Sequence, residues 1–195
     1  MGHDDLNIGS IEVITGPMFA GKSEELLRRI NRLKYAKKNF LVFKPNIDNR
    51  YSETEVVSHN KRAYKAYSIA SSRDILKFVK EANKVIDCVC IDEVQFFDKE
   101  IIKVIDELAN SGIRVICAGL DCDFKRDPFY ITAMLLAKAE YVTKLTAICT
   151  KCGREATLTQ RLVNGEPASA SSPVVQVGAS EAYEARCRKC HVVKD

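Results

Sequence analysis

The segment that carries most information about the fold reads Gly16-Pro17-Met18-Phe19-Ala20-Gly21-Lys22-Ser23. It fits the pattern G-x-x-x-x-G-K-[S/T] of a phosphate-binding loop. Residues 11–15 before it are typical of a strand, and residues 24–38 after it place apolar side chains at helical spacing. Glycines let successive backbone N–H groups approach a phosphate, and the helix that follows adds unpaired donors. This context predicts a nucleoside triphosphate site rather than a chance glycine loop.

The last two residues of the loop have separate expected roles. Lys22 is expected to reach the β- and γ-phosphates, and the Ser23 hydroxyl is expected to coordinate Mg²⁺.

A second segment supplies the acidic partner of such a loop. Residues 85–91 are largely apolar and lead directly into Asp92 and Glu93, which is the Walker B pattern. Ligands of parallel sheets bind beyond the carboxyl ends of the strands, so both segments are expected at one edge. Asp92 is expected to hold Mg²⁺, directly or through a water, and Glu93 to act on the nucleophile. The alternative, two acids that merely open a loop, is disfavoured by the accompanying phosphate loop.

Strands and helices alternate along the first three quarters of the chain, which predicts an α/β fold with a parallel sheet covered on both faces. The expected strands are 11–15, 40–44, 85–92, 113–120 and 141–149, and the expected helices are 24–38, 72–83, 99–111 and 129–139. Residues 46–62 are expected to form a mobile loop. Because glycine, serine and cysteine become frequent after Cys149, we predict two domains, at 1–147 and 148–195.

Eight cysteines divide into two groups. Cys88, Cys90 and Cys117 lie in apolar runs and are expected to be small buried hydrophobes. Cys122 lies just beyond the last of these runs. The remaining four form two C-x-x-C pairs, which predicts one tetrahedral zinc site that stabilises the C-terminal segment. Its ligands are Cys149, Cys152, Cys187 and Cys190. A redox motif or a pair of disulfides is the alternative, and His191 is an alternative fourth ligand.

Composition excludes little else. The chain has 195 residues, a formal net charge of +4 and 46% hydrophobic residues, which suffices for a buried core. Its apolar runs are too short to cross a membrane, and its basic residues do not gather in one block. We expect a soluble cytoplasmic protein with neither a membrane nor a nucleic acid as partner.

These motifs leave the acceptor open. A phosphate loop with a Walker B strand occurs in hydrolases, motors and switches as well as in kinases. Without further information the residues indicate a zinc-containing NTPase. A nucleic-acid-binding module built on residues 148–195, the C-terminal part that contains the paired cysteines (the zinc segment), is a second possibility.

Several segments together resemble the type II thymidine kinases, found in bacteria and as the cytosolic form in animals. The similarity covers nearly the whole chain, in order and at family spacing. It includes Pro17-Met18-Phe19 in the phosphate loop, Asp92-Glu93-Val94-Gln95-Phe96-Phe97, Gly119-Leu120-Asp121 through Phe129, and Val177-Gly178-Ala179 with Tyr183. The departures are an alanine- and serine-rich stretch at residues 168–172 and the histidine at position 191.

The resemblance implies ATP-dependent phosphorylation of the 5′-hydroxyl of thymidine in pyrimidine deoxynucleoside salvage, with deoxyuridine as a second substrate. It also implies a RecA-like P-loop core, a small β-rich zinc domain called the lasso, a homotetramer, and feedback inhibition by thymidine triphosphate.

The resemblance also assigns site residues. Glu93 becomes the catalytic base. ATP and Mg²⁺ contact residues 16–23 with Asp92, Gln95 and Arg126, and Arg50 is a weaker candidate. The thymine ring is held by lasso backbone at Val174, Val175, Gln176, Val177 and Gly178. The pocket for its methyl group consists of Met18, Leu120, Thr159 and Tyr183, and the residues packed around base and sugar are Phe96, Phe124 and Phe129. Phe97 is expected to belong to the core.

Overall fold

The structure is a computed structural model that describes residues 8–46, 54–57, 63–174 and 181–195. Its main sheet is built from seven strands in the order β3-β4-β2-β5-β6-β1-β7. Six of them run parallel, and β3 pairs antiparallel with β4. The strands are β1 (Ser10–Gly16), β2 (Phe40–Pro45), β3 (Thr54–Val57), β4 (Ala63–Ile69), β5 (Cys88–Ile91), β6 (Arg114–Leu120) and β7 (Tyr141–Lys144).

Helices cover both faces of this sheet, since its strands are apolar on both sides. They are α1 (Lys22–Tyr35), α2 (Asp74–Glu81), α3 (Ile101–Asn110) and α4 (Tyr130–Lys138), with a 3₁₀ turn at Val94–Phe96. On one face Val13 and Val115 pack with Ile105 of α3. On the other face Ile14 and Ile116 pack with the buried side of α1. Each such side chain stabilises the fold by about 1.5–3 kcal/mol when fully buried.

The order of the central strands determines where the functional segments meet. Strand β6 lies between β1 and β5, with Gly16 aligned with Leu120 and Ile91 aligned with Cys117. The phosphate loop after β1, the carboxylates after β5 and the segment after β6 therefore leave the sheet at the same edge.

The C-terminal segment forms two small antiparallel sheets. Strands β8 (Ala147–Ile148) and β9 (Glu155–Ala156) pair with each other, and β10 (Leu158–Val163) lies between β11 (Glu166–Pro167) and β12 (Glu181–Arg186). Helices are absent from the described residues after Lys138. The predicted division at residue 147 stays a prediction, because the two parts also contact each other.

The predicted α/β fold is confirmed: a parallel sheet carries a P-loop core, followed by a small β-rich segment with a four-cysteine cluster. Two expectations were wrong. Residues 54–57, expected within a loop, form β3, which depends on pairing with β4. The single strand expected over 141–149 is two strands, because the Leu145 amide still bonds Thr15 O while the next residues turn toward the cysteines.

Helix and strand ends also differ by a few residues from the expected ones. Helix α1, for example, begins at Lys22 and ends at Tyr35. Among the described ranges, no helix has the length and apolar character needed to cross a membrane.

Candidate active site

The phosphate loop connects the end of β1 directly to the start of α1. At Gly16 the φ angle is 143°, and a Cβ there would lie 2.4 Å from the carbonyl oxygen of Leu145. Only glycine fits this position, because any other side chain would displace the backbone after β7. The first turn of α1 follows at once, since the amide of Glu25 donates to the carbonyl of Gly21 at 2.9 Å. The sequence motif therefore has the strand–loop–helix geometry that it predicts.

Lys22 lies at the centre of this edge. Its Nζ donates to Pro17 O at 2.7 Å. The carboxylates of Glu93, Asp121 and Asp92 lie near enough to affect its pKa. Burial lowers the pKa of Lys22, while these carboxylates act in the opposite direction. A cation in this position is available to offset the charge of a triphosphate.

Ser23 and Asp92 come together as the two motifs predict. Ser23 Oγ lies 3.5 Å from Asp92 Oδ2, and Asp92 is 8% exposed. Burial, with the nearby charge of Glu93, raises the pKa of Asp92 to about 6. A hydroxyl and a buried carboxylate form a donor set of the hard oxygen atoms that Mg²⁺ prefers, so these residues fit the ion.

Replacing Asp92 with asparagine is expected to stabilise the nucleotide-free protein at pH 8. The folded-state pKa lies above the usual value, so the neutral carboxyl stabilises the fold at low pH and this contribution is lost as pH rises through about 6. A difference of about two pKa units corresponds to roughly 3 kcal/mol at pH 8. Thermal unfolding of both proteins without Mg²⁺, at pH 8 and at pH 5, measures it. The gain should shrink at pH 5, and a variant less stable at pH 8 would contradict the expectation.

Glu93 is held by Gln95. Gln95 Nε2 donates to Glu93 Oε2 at 2.5 Å, and Gln95 Oε1 accepts from the amide of Leu120 at 3.0 Å. Glu93 itself has φ 51°, a left-handed conformation that non-glycine residues rarely adopt. Such backbone strain is frequent where a side chain must point in one direction. Gln95, expected at the nucleotide, thus bridges the carboxylate and the end of β6.

The missing side chain of Gly119 makes this bridge possible. A Cβ at Gly119 would lie 2.5 Å from Gln95 Oε1 and 2.9 Å from Val94 Cγ1. We expect Gly119→Ala to displace Gln95 and to lower kcat roughly ten- to a hundredfold, the range for a hydrogen bond to a charged group. Steady-state rates of phosphoryl transfer by Gly119→Ala, by Gln95→Ala and by the double variant Gly119→Ala/Gln95→Ala test this mechanism. The double variant should be no slower than Gln95→Ala alone, and additive losses would disprove it.

Aromatic side chains lie next to these carboxylates. Phe96 and Phe129 meet edge to face with ring centroids 5.9 Å apart, and Phe124 is 3% exposed. Leu120 is the last residue of β6, so the predicted base-packing residues lie on the segments that leave this edge of the sheet. Phe97 is buried in the main core, as expected.

Thr159 connects the phosphate loop with the C-terminal segment. Its Oγ1 accepts the Met18 amide proton at 3.0 Å, and the residue is 4% exposed. Both are predicted to line the pocket for the methyl group, and the structure brings them into direct contact. Tyr183 lies on β12 opposite Arg161 of β10.

Part of the predicted thymine site falls outside the described residues, namely Val175, Gln176, Val177 and Gly178, together with Arg50. Val174, the last residue described before that gap, is 37% exposed.

Arg126 points to the zinc segment in this structure. Its Nε donates to His191 Nδ1 at 3.1 Å and its Nη2 to His191 O at 3.0 Å. Burial and the charge of Arg126 lower the pKa of His191, opposed by the backbone carbonyls of Thr159 and Phe124. The sequence predicted Arg126 near the phosphates, and no contact made by the protein itself tests that role.

Arg161 was not recognised as a site residue from the sequence. It is 1% exposed, lies 5.3 Å from the ring centroid of Phe124, and donates through Nη1 to Pro173 O at 2.5 Å. It thereby joins a predicted nucleoside contact to the chain just before Val174. Its sequence neighbours Thr159 and Gln160 are polar as well, so the pattern of β10 gave no signal for a buried arginine.

The four paired cysteines form one cluster. Their Sγ atoms all lie within 4.8 Å of one another, and the Sγ atoms of Cys152 and Cys187 are 3.6 Å apart. Sulfurs around tetrahedral zinc, with Zn–S of about 2.3 Å, are separated by about 3.8 Å, whereas a disulfide bond measures about 2.05 Å. The cluster therefore fits a metal ion better than the alternative of two disulfides.

The thiols of this cluster have unequal acidities. Burial would raise the pKa of Cys149, but backbone amides of Cys187, Lys151 and Cys152 outweigh it and lower that pKa to about 6. Burial and the other three sulfurs raise the pKa of Cys190 to about 12. Crowded thiolates of this kind need a cation, which zinc supplies when it is bound.

Three solved structures have partial similarity to this chain. Domain III of the Thermotoga maritima replication initiation protein DnaA matches at 16% identity and TM-score 0.42, over 72% of this chain and 56% of that one. A DNA replication initiation factor matches at 14% identity and TM-score 0.41, over 71% of this chain and 40% of that one. The Legionella pneumophila ATPase DotB matches at 15% identity and TM-score 0.43, over 76% of this chain and 43% of that one. The chain spans about half the length of these structures, and TM-scores this low support no functional argument.

A family model gives a more specific result. The model described as thymidine kinase matches residues 9–191, which include the phosphate loop, both carboxylates and all four clustered cysteines. The chain therefore belongs to the thymidine kinase family, a family of phosphotransferases that act on thymidine.

Proposed function

We propose that this protein transfers the γ-phosphoryl group of ATP to the 5′-hydroxyl of thymidine, giving ADP and thymidine monophosphate, in pyrimidine deoxynucleoside salvage. Deoxyuridine is the proposed second substrate. The observation that carries the proposal is the contact of Gln95 with both Glu93 and the Leu120 amide. It holds the Glu93 carboxylate, whose charge acts on Lys22 of the phosphate loop, and this supports a role for Glu93 in activating a nucleoside hydroxyl.

Catalysis in this scheme is mainly positioning and charge neutralisation. The backbone N–H groups of residues 16 and 18–23 and the ammonium of Lys22 bind the phosphates, and Arg126 adds positive charge. Glu93 accepts the proton of the 5′-hydroxyl as its oxygen attacks the γ-phosphorus. Ser23 and Asp92 would hold Mg²⁺, which would further neutralise the triphosphate charge.

The nucleoside is proposed to bind between the two parts of the chain. Phe96, Phe124 and Phe129 would pack against base and sugar, while Met18, Leu120, Thr159 and Tyr183 would surround the methyl group. Such a pocket favours a methyl group over hydrogen by only about 1–3 kcal/mol, which is consistent with some use of deoxyuridine. Backbone groups of residues 174–178 are proposed to bind the thymine edge.

Zinc is proposed to be structural, with Cys149, Cys152, Cys187 and Cys190 as its four ligands. The roughly 50 residues after Ala147 are few for an independent hydrophobic core, so a metal would supply folding energy. Free thiolates of this kind persist in reducing compartments, which supports a cytoplasmic location. A homotetramer and feedback inhibition by thymidine triphosphate complete the proposal, and both rest on the family resemblance.

Turnover of ATP with Mg²⁺ tests the activity directly. ADP formation is compared without acceptor and with thymidine, deoxyuridine, deoxycytidine or deoxyadenosine, and the phosphorylated product is identified. Formation of thymidine monophosphate in proportion to ADP, with deoxyadenosine inert, is expected. ATP hydrolysis that does not depend on any nucleoside would replace the kinase with an NTPase whose acceptor is water.

A further inference from the structure

His191 makes contacts that neither its place in the sequence nor zinc binding explains. It follows Cys190 directly and is 4% exposed. Its ring Nδ1 lies 3.1 Å from Arg126 Nε, and its Nε2 lies 3.1 Å from the backbone oxygen of Thr159. Both ring nitrogens are therefore engaged by protein atoms, which leaves neither for a metal ion.

The chemistry of the two partners assigns a different role to each ring nitrogen. A guanidinium has only donors, so Nδ1 must accept from Arg126. A backbone carbonyl can only accept, so Nε2 must carry the hydrogen that Thr159 O receives. The two contacts therefore need an acceptor at Nδ1 and a donor at Nε2.

One of these contacts leads to the phosphate loop. Thr159 receives the ring hydrogen on its backbone oxygen and the Met18 amide hydrogen on its Oγ1. Gln160 strengthens the same attachment, because its side chain bonds both the amide and the carbonyl of Val192 at 2.8 Å. The end of the zinc segment is therefore fixed to β10, and β10 is fixed to the loop.

The other contact leads to Arg126. This residue has φ 77° in a short loop that Asp123 organises, since Asp123 Oδ1 accepts from the amides of Lys125 and Asp127 at 2.8 and 3.0 Å. The tight loop fixes the position of the Arg126 backbone, and the contact with His191 fixes the position of its guanidinium. The histidine ring thus lies between the phosphate loop and the basic residue proposed to act on the phosphates.

We infer that His191 is a positioning residue that joins the zinc segment to both parts of the phosphoryl-transfer site, through Thr159 to the phosphate loop and through Nδ1 to Arg126. The Arg126 part rests on the proposed function. The Thr159 part concerns nucleotide binding and holds whatever the acceptor.

Two amide substitutions separate the two contacts. In His191→Asn the amide oxygen can take the place of Nδ1 and keep Arg126, but the donor to Thr159 is lost. In His191→Gln the longer side chain can place its NH₂ near Nε2 and keep Thr159, but the acceptor for Arg126 is lost. The backbone contact from Arg126 to His191 O survives in both. Val192→Ala is the matched control, because that side chain is 46% exposed.

The experiment measures zinc content, the Kd of a non-hydrolysable ATP analogue by calorimetry, and kcat with thymidine. We expect His191→Asn to weaken nucleotide binding about fivefold with kcat near wild type. We expect His191→Gln to lower kcat about tenfold with nucleotide binding unchanged, the size of one hydrogen bond. Zinc content should stay at the wild-type value in both variants and in the control.

Equal losses in the two variants, or wild-type values in both, would overturn the inference. Loss of zinc from both would overturn it as well, since His191 would then be a ligand. A wild-type protein that binds the analogue but does not phosphorylate thymidine would refute the proposed function instead. The analogue Kd of the two variants would still decide the contact through Thr159.

Discussion

Glu93→Gln is expected to lower kcat for thymidine phosphorylation by 10²- to 10⁴-fold, the usual contribution of a general base. The substitution removes the proton acceptor and leaves the shape intact. Its amide oxygen can still accept from Gln95 Nε2, which lies 2.5 Å from the native carboxylate. Affinity for an ATP analogue should therefore stay close to that of the wild type.

Single-turnover rates at saturating substrates, together with calorimetric binding of the analogue, measure this effect. Glu100→Gln is a suitable control, because Glu100 lies on the surface before α3 and pairs with Lys103 and Arg73. It should turn over at the wild-type rate. Near-normal turnover of Glu93→Gln would show that another group accepts the proton.

The second large effect is expected at the zinc cluster. Cys149→Ser should release the metal, because Cys149 is 1% exposed and lies against the three other sulfurs. Structural zinc contributes roughly 10–16 kcal/mol in small domains, so the fold of the C-terminal segment should be lost with it. The KM for thymidine should rise steeply, while the phosphate loop on the large sheet should still bind ATP.

Metal analysis and calorimetry with each substrate separately test this expectation. Cys122→Ser provides the comparison, since Cys122 is half-buried and lies outside the cluster. It should retain the metal and both affinities. Zinc content unchanged in Cys149→Ser would exclude the four-cysteine assignment.

Local patterns predicted the parts of the site that are continuous in sequence. The phosphate loop, the carboxylates after β5 and the paired cysteines each form within a few residues, so spacing alone identifies them. The gathering of these segments at one sheet edge followed from the general rule for parallel strands. The contact of Ser23 Oγ with Asp92 Oδ2 agrees with that expectation.

Contacts between distant segments could not be predicted in the same way. Strand β3 lies in a largely polar stretch of sequence and forms by pairing with β4, which in turn pairs with β2. Gly119 reads as an ordinary strand residue until Gln95 is seen to occupy the space above it. The contact of Arg126 with His191 spans 65 residues, and no pattern in either segment indicates it.

The position of β1 in the sheet also determines when the phosphate loop becomes enclosed as the chain is synthesised. Its two neighbours are β6, which starts at Arg114, and β7, which starts at Tyr141. A ribosome adding roughly 5–20 residues per second needs several more seconds to supply them after β1 is made. The phosphate loop is thus synthesised well before the two strands that enclose it. Nascent chains that end before β7 therefore carry the complete phosphate-loop motif without the strand that supports it.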